Sequence, residues 1–197
     1  MTVQDLLFAV LPRLKETSGV DIFQSANAAV RSIGKRLAAR RSDLVKAPLS
    51  LTFPAGVSLA LDAEVVGFAE DPYAVSGTTR IFLLPLRPAE RADLDKEGTP
   101  QRYERVGSTL YLFPYPATEI TVKGMGYRLP DRVTALDDVL PWADLLDELL
   151  TEATVRTAAV GPGHAVDPAF QAYVDQELDR LLPSRSARPR RAASHHF

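Results

Sequence analysis

The 197-residue chain is 46% hydrophobic and 24% charged, the balance of an ordinary globular protein, with room for one large domain or two small ones. It contains no cysteine, which excludes disulfides, thiolate metal sites and a cysteine nucleophile. Its formal net charge of −2 is uneven: residues 183–197 hold Arg185, Arg188, Arg190 and Arg191 and no acid, so the other 19 bases face all 25 acids, about −6 for the body. An acidic body argues against a nucleic-acid-binding domain, and the basic end reads as a tail that docks on something acidic. Apolar runs such as Ile81 to Leu86 are of strand length and too short to span a bilayer. Met1-Thr2-Val3-Gln4-Asp5 lacks the basic start of a signal peptide.

The first expected helix opens with Thr2 and Asp5 spaced as a capping box, ahead of Leu6, Leu7, Val10, Leu11 and Leu14. Pro12 should kink or end it, and Gly19 breaks the chain. A second helix is capped by Asp21 and runs to about Arg41, with Phe23, Ala26, Ala29, Val30, Ile33 and Leu37 in one apolar stripe. Its other face carries Arg31, Lys35, Arg36 and Arg40, a solvated face or a surface for a neighbouring subunit.

At Pro48 the period changes from helical to alternating. Leu49, Leu51 and Phe53, a Pro54-Ala55-Gly56 turn, then Val57, Leu59 and Leu61 read as a hairpin. Val65, Val66 and Phe68 continue the alternation, and Asp71-Pro72-Tyr73 and Ser76-Gly77 are turn chemistry. Arg80 to Leu86 reads as one strand ending at a sheet edge, because of Pro85. Residues 87–99 are polar, with a short helical turn expected over Pro88 to Leu94. Tyr103 to Val106 and Thr109 to Phe113 form a second hairpin through Gly107-Ser108. Pro114-Tyr115-Pro116 stops it, and Glu119 to Tyr127 is a further strand. Within that strand, Gly124-Met125-Gly126 lacks the lysine of a phosphate loop and predicts a bulge or a close backbone approach. About six to eight short strands are therefore expected over 48–128.

Beyond Pro130, Asp137-Asp138 and Pro141 prepare a helix from Trp142 to Ala159 that is apolar almost all round, as a buried or inter-subunit helix would be. Gly161-Pro162-Gly163 ends it. A last helix follows Asp167-Pro168, with Phe170, Tyr173, Val174, Leu178, Leu181 and Leu182 on one side, and stops at Pro183. The predicted fold is α+β. A four-helix bundle of N- and C-terminal helices (1–47 and 131–182) carries an inserted antiparallel β-rich unit, a small sandwich or barrel (48–130), and an extended basic tail (183–197).

Signals for chemistry are weak. His164, His195 and His196 lack metal-ligand spacing, and no cofactor or catalytic residue is assigned. Asp137, Asp138, Asp144, Asp147 and Glu148 fit helix capping and solubility, a channel wall that repels DNA, or paired catalytic carboxylates. Tyr103, Tyr111, Tyr115 and Tyr127 fit sheet packing or a stacking platform.

The order of features carries a resemblance. Gly98-Thr99-Pro100-Gln101-Arg102-Tyr103 leads into Gly107-Ser108-Thr109-Leu110-Tyr111-Leu112-Phe113-Pro114-Tyr115-Pro116, then Ile120 to Tyr127, Pro130, and Leu140-Pro141-Trp142 with an Ala/Leu-rich helix. With the helix from Asp21 and the early turn before Leu59-Ala60-Leu61-Asp62, this resembles the head-to-tail adaptors of tailed bacteriophages, especially short-tailed ones, over roughly residues 21–182. The resemblance implies a non-enzymatic virion neck protein, assembled in the host bacterial cytoplasm, that forms a homo-oligomeric ring, typically twelve-fold, under the portal protein. It implies a platform for the tail nozzle or tube, a central channel passing double-stranded DNA without sequence specificity, and no membrane. The tail would dock on the portal through Arg185, Arg188, Pro189, Arg190, Arg191 and Phe197. Arg36, Arg40, Trp142, Leu146 and Leu149 are the candidate subunit-interface residues. A tail-completion or stopper protein, a ligand-binding β module on a helical stalk, and a small hydrolase remain as alternatives.

Overall fold

The structure, a computed structural model, describes residues 1–14, 21–160 and 168–182. The expected breaks at Gly19, Gly161-Pro162-Gly163 and Pro183, the start at Asp167, the three histidines and the whole basic tail lie outside the described residues. The helices are α1 (Val3–Val10), α2 (Ile22–Ala39), α3 (Arg91–Leu94), α4 (Ala143–Val160) and α5 (Pro168–Leu181). The strands are β1 (Lys46–Phe53), β2 (Ser58–Ala60), β3 (Val65–Phe68), β4 (Tyr73–Ser76), β5 (Thr79–Phe82), β6 (Leu84–Pro85), β7 (Arg102–Val106), β8 (Thr109–Phe113) and β9 (Ile120–Arg128). The chain divides into two compact units, one of Met1–Arg36 with Arg132–Phe197, the other Leu37–Asp131.

In the first unit, α1 starts as its sequence dictates. The Thr2 hydroxyl accepts the Asp5 N–H at 3.2 Å and the Asp5 carboxylate accepts the Thr2 N–H at 2.8 Å. Two further N-terminal donors are satisfied by the segment before α4: Val3 N–H bonds Asp138 O at 3.0 Å and Gln4 N–H bonds Leu136 O at 2.9 Å. After Val10 a single 3₁₀ turn, Leu11–Arg13, accommodates Pro12, which has no N–H to continue the helix. Asp21 caps α2 by accepting the Gln24 N–H at 3.0 Å. Ala26, Ala29, Val30, Ile33 and Leu37 are buried along its predicted stripe.

α4 departs from expectation in two ways. It begins at Ala143, because Trp142 has a φ of 59°, a left-handed conformation outside a helix. It is also not apolar all round. Leu146, Leu149, Leu150, Ala153 and Thr154 are buried on one stripe, while Asp144, Asp147 and Glu148 face solvent. Thr154 fits that stripe because its hydroxyl donates to Leu150 O at 2.7 Å. α1 and α5 each pack against α4.

In the second unit, nine strands, more than the six to eight expected, make two sheets. One has the order β1-β9-β4-β5, with β3 also paired to β9, and the other has the order β2-β8-β7-β6. The core residues come from both: Leu49, Phe53, Val65, Ala74, Ile120 and Val122 from the first, Leu110 and Leu112 from the second, with Leu61 and Leu83 between strands. The predicted β1–β2 hairpin does not form. β1 pairs with β9 and β2 with β8, so the Pro54-Ala55-Gly56 turn, with Gly56 at a φ of 124°, passes the chain from one sheet to the other. Both strands alternate correctly, but alternation states which face is buried and not which strand is the partner. The strand expected over Arg80 to Leu86 splits for the same reason. β5 ends at Phe82 in the first sheet, buried Leu83 is the crossing point, and β6 is the edge of the second, where Pro85 is tolerated. The β6–β7 pairing is parallel, so the second sheet is mixed. The β7–β8 hairpin forms through Gly107 as read, and the Ser76-Gly77 turn closes a β4–β5 hairpin that was not anticipated, with Tyr73, read as a turn residue, opening β4.

Candidate functional site

The interface candidates on the helices fall in different environments. Arg36 is held within its own unit, ion-paired to Asp175 and donating to Gln171 Oε1 at 3.2 Å on α5. Arg40 follows α2 and is half-buried, and Trp142 is half-buried in the turn before α4, where its carbonyl accepts Leu145 N–H at 3.0 Å and Leu146 N–H at 2.8 Å. Leu146 and Leu149 are 1% and 3% exposed, so their surface is already covered by the chain itself. Arg185, Arg188, Pro189, Arg190, Arg191 and Phe197 lie outside the described residues.

The exposed apolar side chains lie elsewhere. In the first unit they include Phe8 (66% exposed), Leu136 and Val139 (72%), and in the second Phe82 (69%), Leu84 and Val106. Phe8, two positions after Leu6, is off the stripe that buries α1, and Val139 directly precedes buried Leu140. The sequence signal for Phe8 is an apolar residue out of phase with the buried stripe of its helix, while Val139 lies outside any helix or strand and carries no such signal. Phe82 packs beside Tyr73 at 6.2 Å between centroids, with the Arg80 guanidinium 5.3 Å from the Tyr73 ring.

The first unit also holds a cleft of about 760 Å³ between α1, α4 and α5, lined among others by Arg13, Asp147, Glu152, Arg156, Phe170 and Tyr173. Glu152 joins Arg13 at 3.3 Å and Arg156 at 2.9 Å, and Arg156 lies 5.7 Å from the Phe170 ring centre. The two arginines are thus engaged across the cleft wall by a shared carboxylate.

The acidic run has a structural account in part. Asp138 accepts the Thr134 and Ala135 N–H groups at 2.7 and 2.9 Å, and these bonds hold its carboxyl below the usual carboxylate value. Among the described residues no group of three or more His, Cys, Asp or Glu side chains is placed to hold a metal ion, and no helix is long and apolar enough to cross a membrane.

The tyrosines do not form one platform. Tyr103 opposes Leu112 and turns toward the shared core, edge-on to Phe68 at 5.5 Å, and burial pushes its hydroxyl pKa up. Tyr111 opposes Glu104 on the other face of the same sheet. Gly126 is the close approach that its motif predicted: a Cβ there would run into the Leu49 side chain and come within 2.7 Å of the Gly67 carbonyl.

What these elements define is an α+β protein whose outward features are scattered apolar side chains, ion-paired helix faces and an open cleft, with no assembled catalytic or metal site among the described residues. The family model described as SU10 adaptor protein matches residues 1–195, and the chain belongs to that family. This is consistent with a bacteriophage head-to-tail adaptor, a structural component of the virion. The comparison with curated proteins gave no match.

Proposed function

We propose that the protein is a non-enzymatic adaptor that assembles as a ring, twelve-fold by the family resemblance, beneath the portal and forms the platform for the tail nozzle or tube. Its central channel passes double-stranded DNA during packaging and ejection. In this reading α1, α2, α4 and α5 form a four-helix bundle (1–47 and 131–182) that packs subunit against subunit, and the inserted β unit (48–130) faces the tail. The segment 183–197 reaches the portal through its four arginines, Pro189 and Phe197.

The match of an adaptor family over residues 1–195 carries this reading. The exposed Phe8, Val139 and Phe82 are the large apolar side chains most open to a partner subunit in this reading. Because Leu146 and Leu149 are already covered, the contact between subunits is assigned to residues such as these, with Arg40 and Trp142 as half-buried neighbours. The opposite facing of Tyr103 and Tyr111 weighs against a ligand-stacking β module.

Electron microscopy of the full-length chain mixed with its portal tests the proposal. Class averages should show a closed ring of this chain seated on the portal. A chain that stays monomeric and apart from the portal at micromolar concentration overturns it.

A further inference from the structure

The segment between β6 and β7 is charged out of proportion to a connecting loop, and the adaptor reading gives it no role. It is anchored at both ends by backbone bonds: Leu84 and Leu86 N–H bond Gln101 O at 3.0 Å and Tyr103 O at 2.8 Å, and beyond it Tyr115 N–H bonds Lys96 O at 3.0 Å and Gly98 N–H bonds Tyr115 O at 2.9 Å. Between those anchors the backbone bonds are local ones, Glu90 N–H to Arg87 O at 2.9 Å and Lys96 N–H to Leu94 O at 2.8 Å. The middle of the segment is held to the sheet by side chains instead.

Those side chains match in sign and spacing. Glu90 and Arg91 are consecutive, and Arg102 and Glu104 are two apart on β7, so both point to the same face of the sheet. Arg102 donates to both Glu90 oxygens, at 2.8 and 3.3 Å, and this pairing depresses the Glu90 pKa. Arg91 Nη1 lies 3.3 Å from Glu104 Oε2, an oxygen that is buried and accepts no hydrogen bond. The Arg91 guanidinium also sits 5.7 Å from the Phe113 ring centre.

Phe113 shows what the segment does. On β8, Leu110 and Leu112 enter the shared core, so Thr109, Tyr111 and Phe113 face the other way. Yet Phe113 is only 1% exposed, stacked on Tyr111 at 6.5 Å. An aromatic ring on the outer face is hidden because something lies over it, and that cover includes Arg91.

We propose that residues 87–97 are a latched strap: two ion pairs of opposite sense, Glu90–Arg102 and Arg91–Glu104, hold it over the Tyr111/Phe113 face of the second sheet. It swings off as a unit while the rest of the fold stays intact. The anchors at 84–86 and 96–98 act as hinges. The bidentate pair is the stronger latch, and the Arg91–Glu104 pair, with no hydrogen bond, is the weaker. Opening bares the Phe113 ring beside half-buried Tyr111, opposite Arg102 and Glu104, so the strap is a salt-sensitive cover for that face. This inference stands whether or not the adaptor reading holds.

The absence of native cysteine makes the test direct. In the full-length chain, Leu94→Cys places one thiol at a half-buried position of the strap, and the change in its labelling rate reads opening. Adding Arg102→Glu should raise that rate roughly two- to fivefold, the scale of losing a partly exposed ion pair, and the further change Glu90→Arg should return it to near the parent value. Raising KCl should speed labelling of the parent, with the chemical-denaturation midpoint unchanged. An unchanged rate in Arg102→Glu, no restoration by the charge swap, or labelling that rises only with global unfolding each overturns the strap.

Discussion

Gly126 shows how one residue can be tied to its place. β9 is paired on both sides here, to Ala47 of β1 and Phe68 of β3, and the space a methyl group needs is taken by Leu49 and the Gly67 carbonyl. Gly126→Ala should destabilise the protein by about 1–3 kcal/mol through overpacking, read as a lower midpoint in urea. The glycine pair was visible in the sequence as an oddity in a strand, but the group it makes room for was not. Asp138 offers a second residue-scale case. Its carboxyl is held below the usual value near 3.8 by two backbone N–H groups. A depressed acid contributes stability fully above its unfolded pKa and loses that contribution as pH falls through the folded one. Wild type should therefore lose more stability than Asp138→Asn as pH is lowered below about 4, in denaturation curves of both proteins, since 3.8 is the unfolded reference.

At the scale of elements, start signals and phase were legible and partners were not. The capping box at Thr2 and the Asp21 cap act locally, within one turn, so their sequence spacing is their structure. Thr2→Ala should cost roughly 1 kcal/mol of stability, measured by denaturation with unchanged helix content at low denaturant. The β1–β2 turn was read correctly as a turn and wrongly as a hairpin, because a turn sets chain direction while the sheet that receives the next strand is decided by distant β8 and β9. Arg36 illustrates the same limit. Its position on the polar face of α2 left a partner subunit open, and the fold supplies Asp175 and Gln171 from α5, 139 and 135 residues away. A double-mutant cycle on Arg36 and Asp175 should give a coupling of about 0.2–1 kcal/mol in the monomer, as expected for a half-exposed pair.

For the whole molecule, removal of residues 183–197 separates folding from recruitment. In the proposed role, the truncated chain should keep the denaturation midpoint of the full chain within error and lose portal binding in a pull-down. Undiminished binding would remove the tail from that role. The sequence by itself determined the α+β class, the helix–strand–helix order, most turns, and the family, because these rest on local periodicity, on φ/ψ preferences of glycine and proline, and on motif order over nearly the full length. Only the tertiary structure decided that nine strands sort into two sheets sharing one core, that Leu146 and Leu149 are interior, and that Phe8, Phe82 and Val139 are left outside. Those outcomes depend on which distant surfaces meet, and burial is a property of the pair that meets, not of either sequence segment alone.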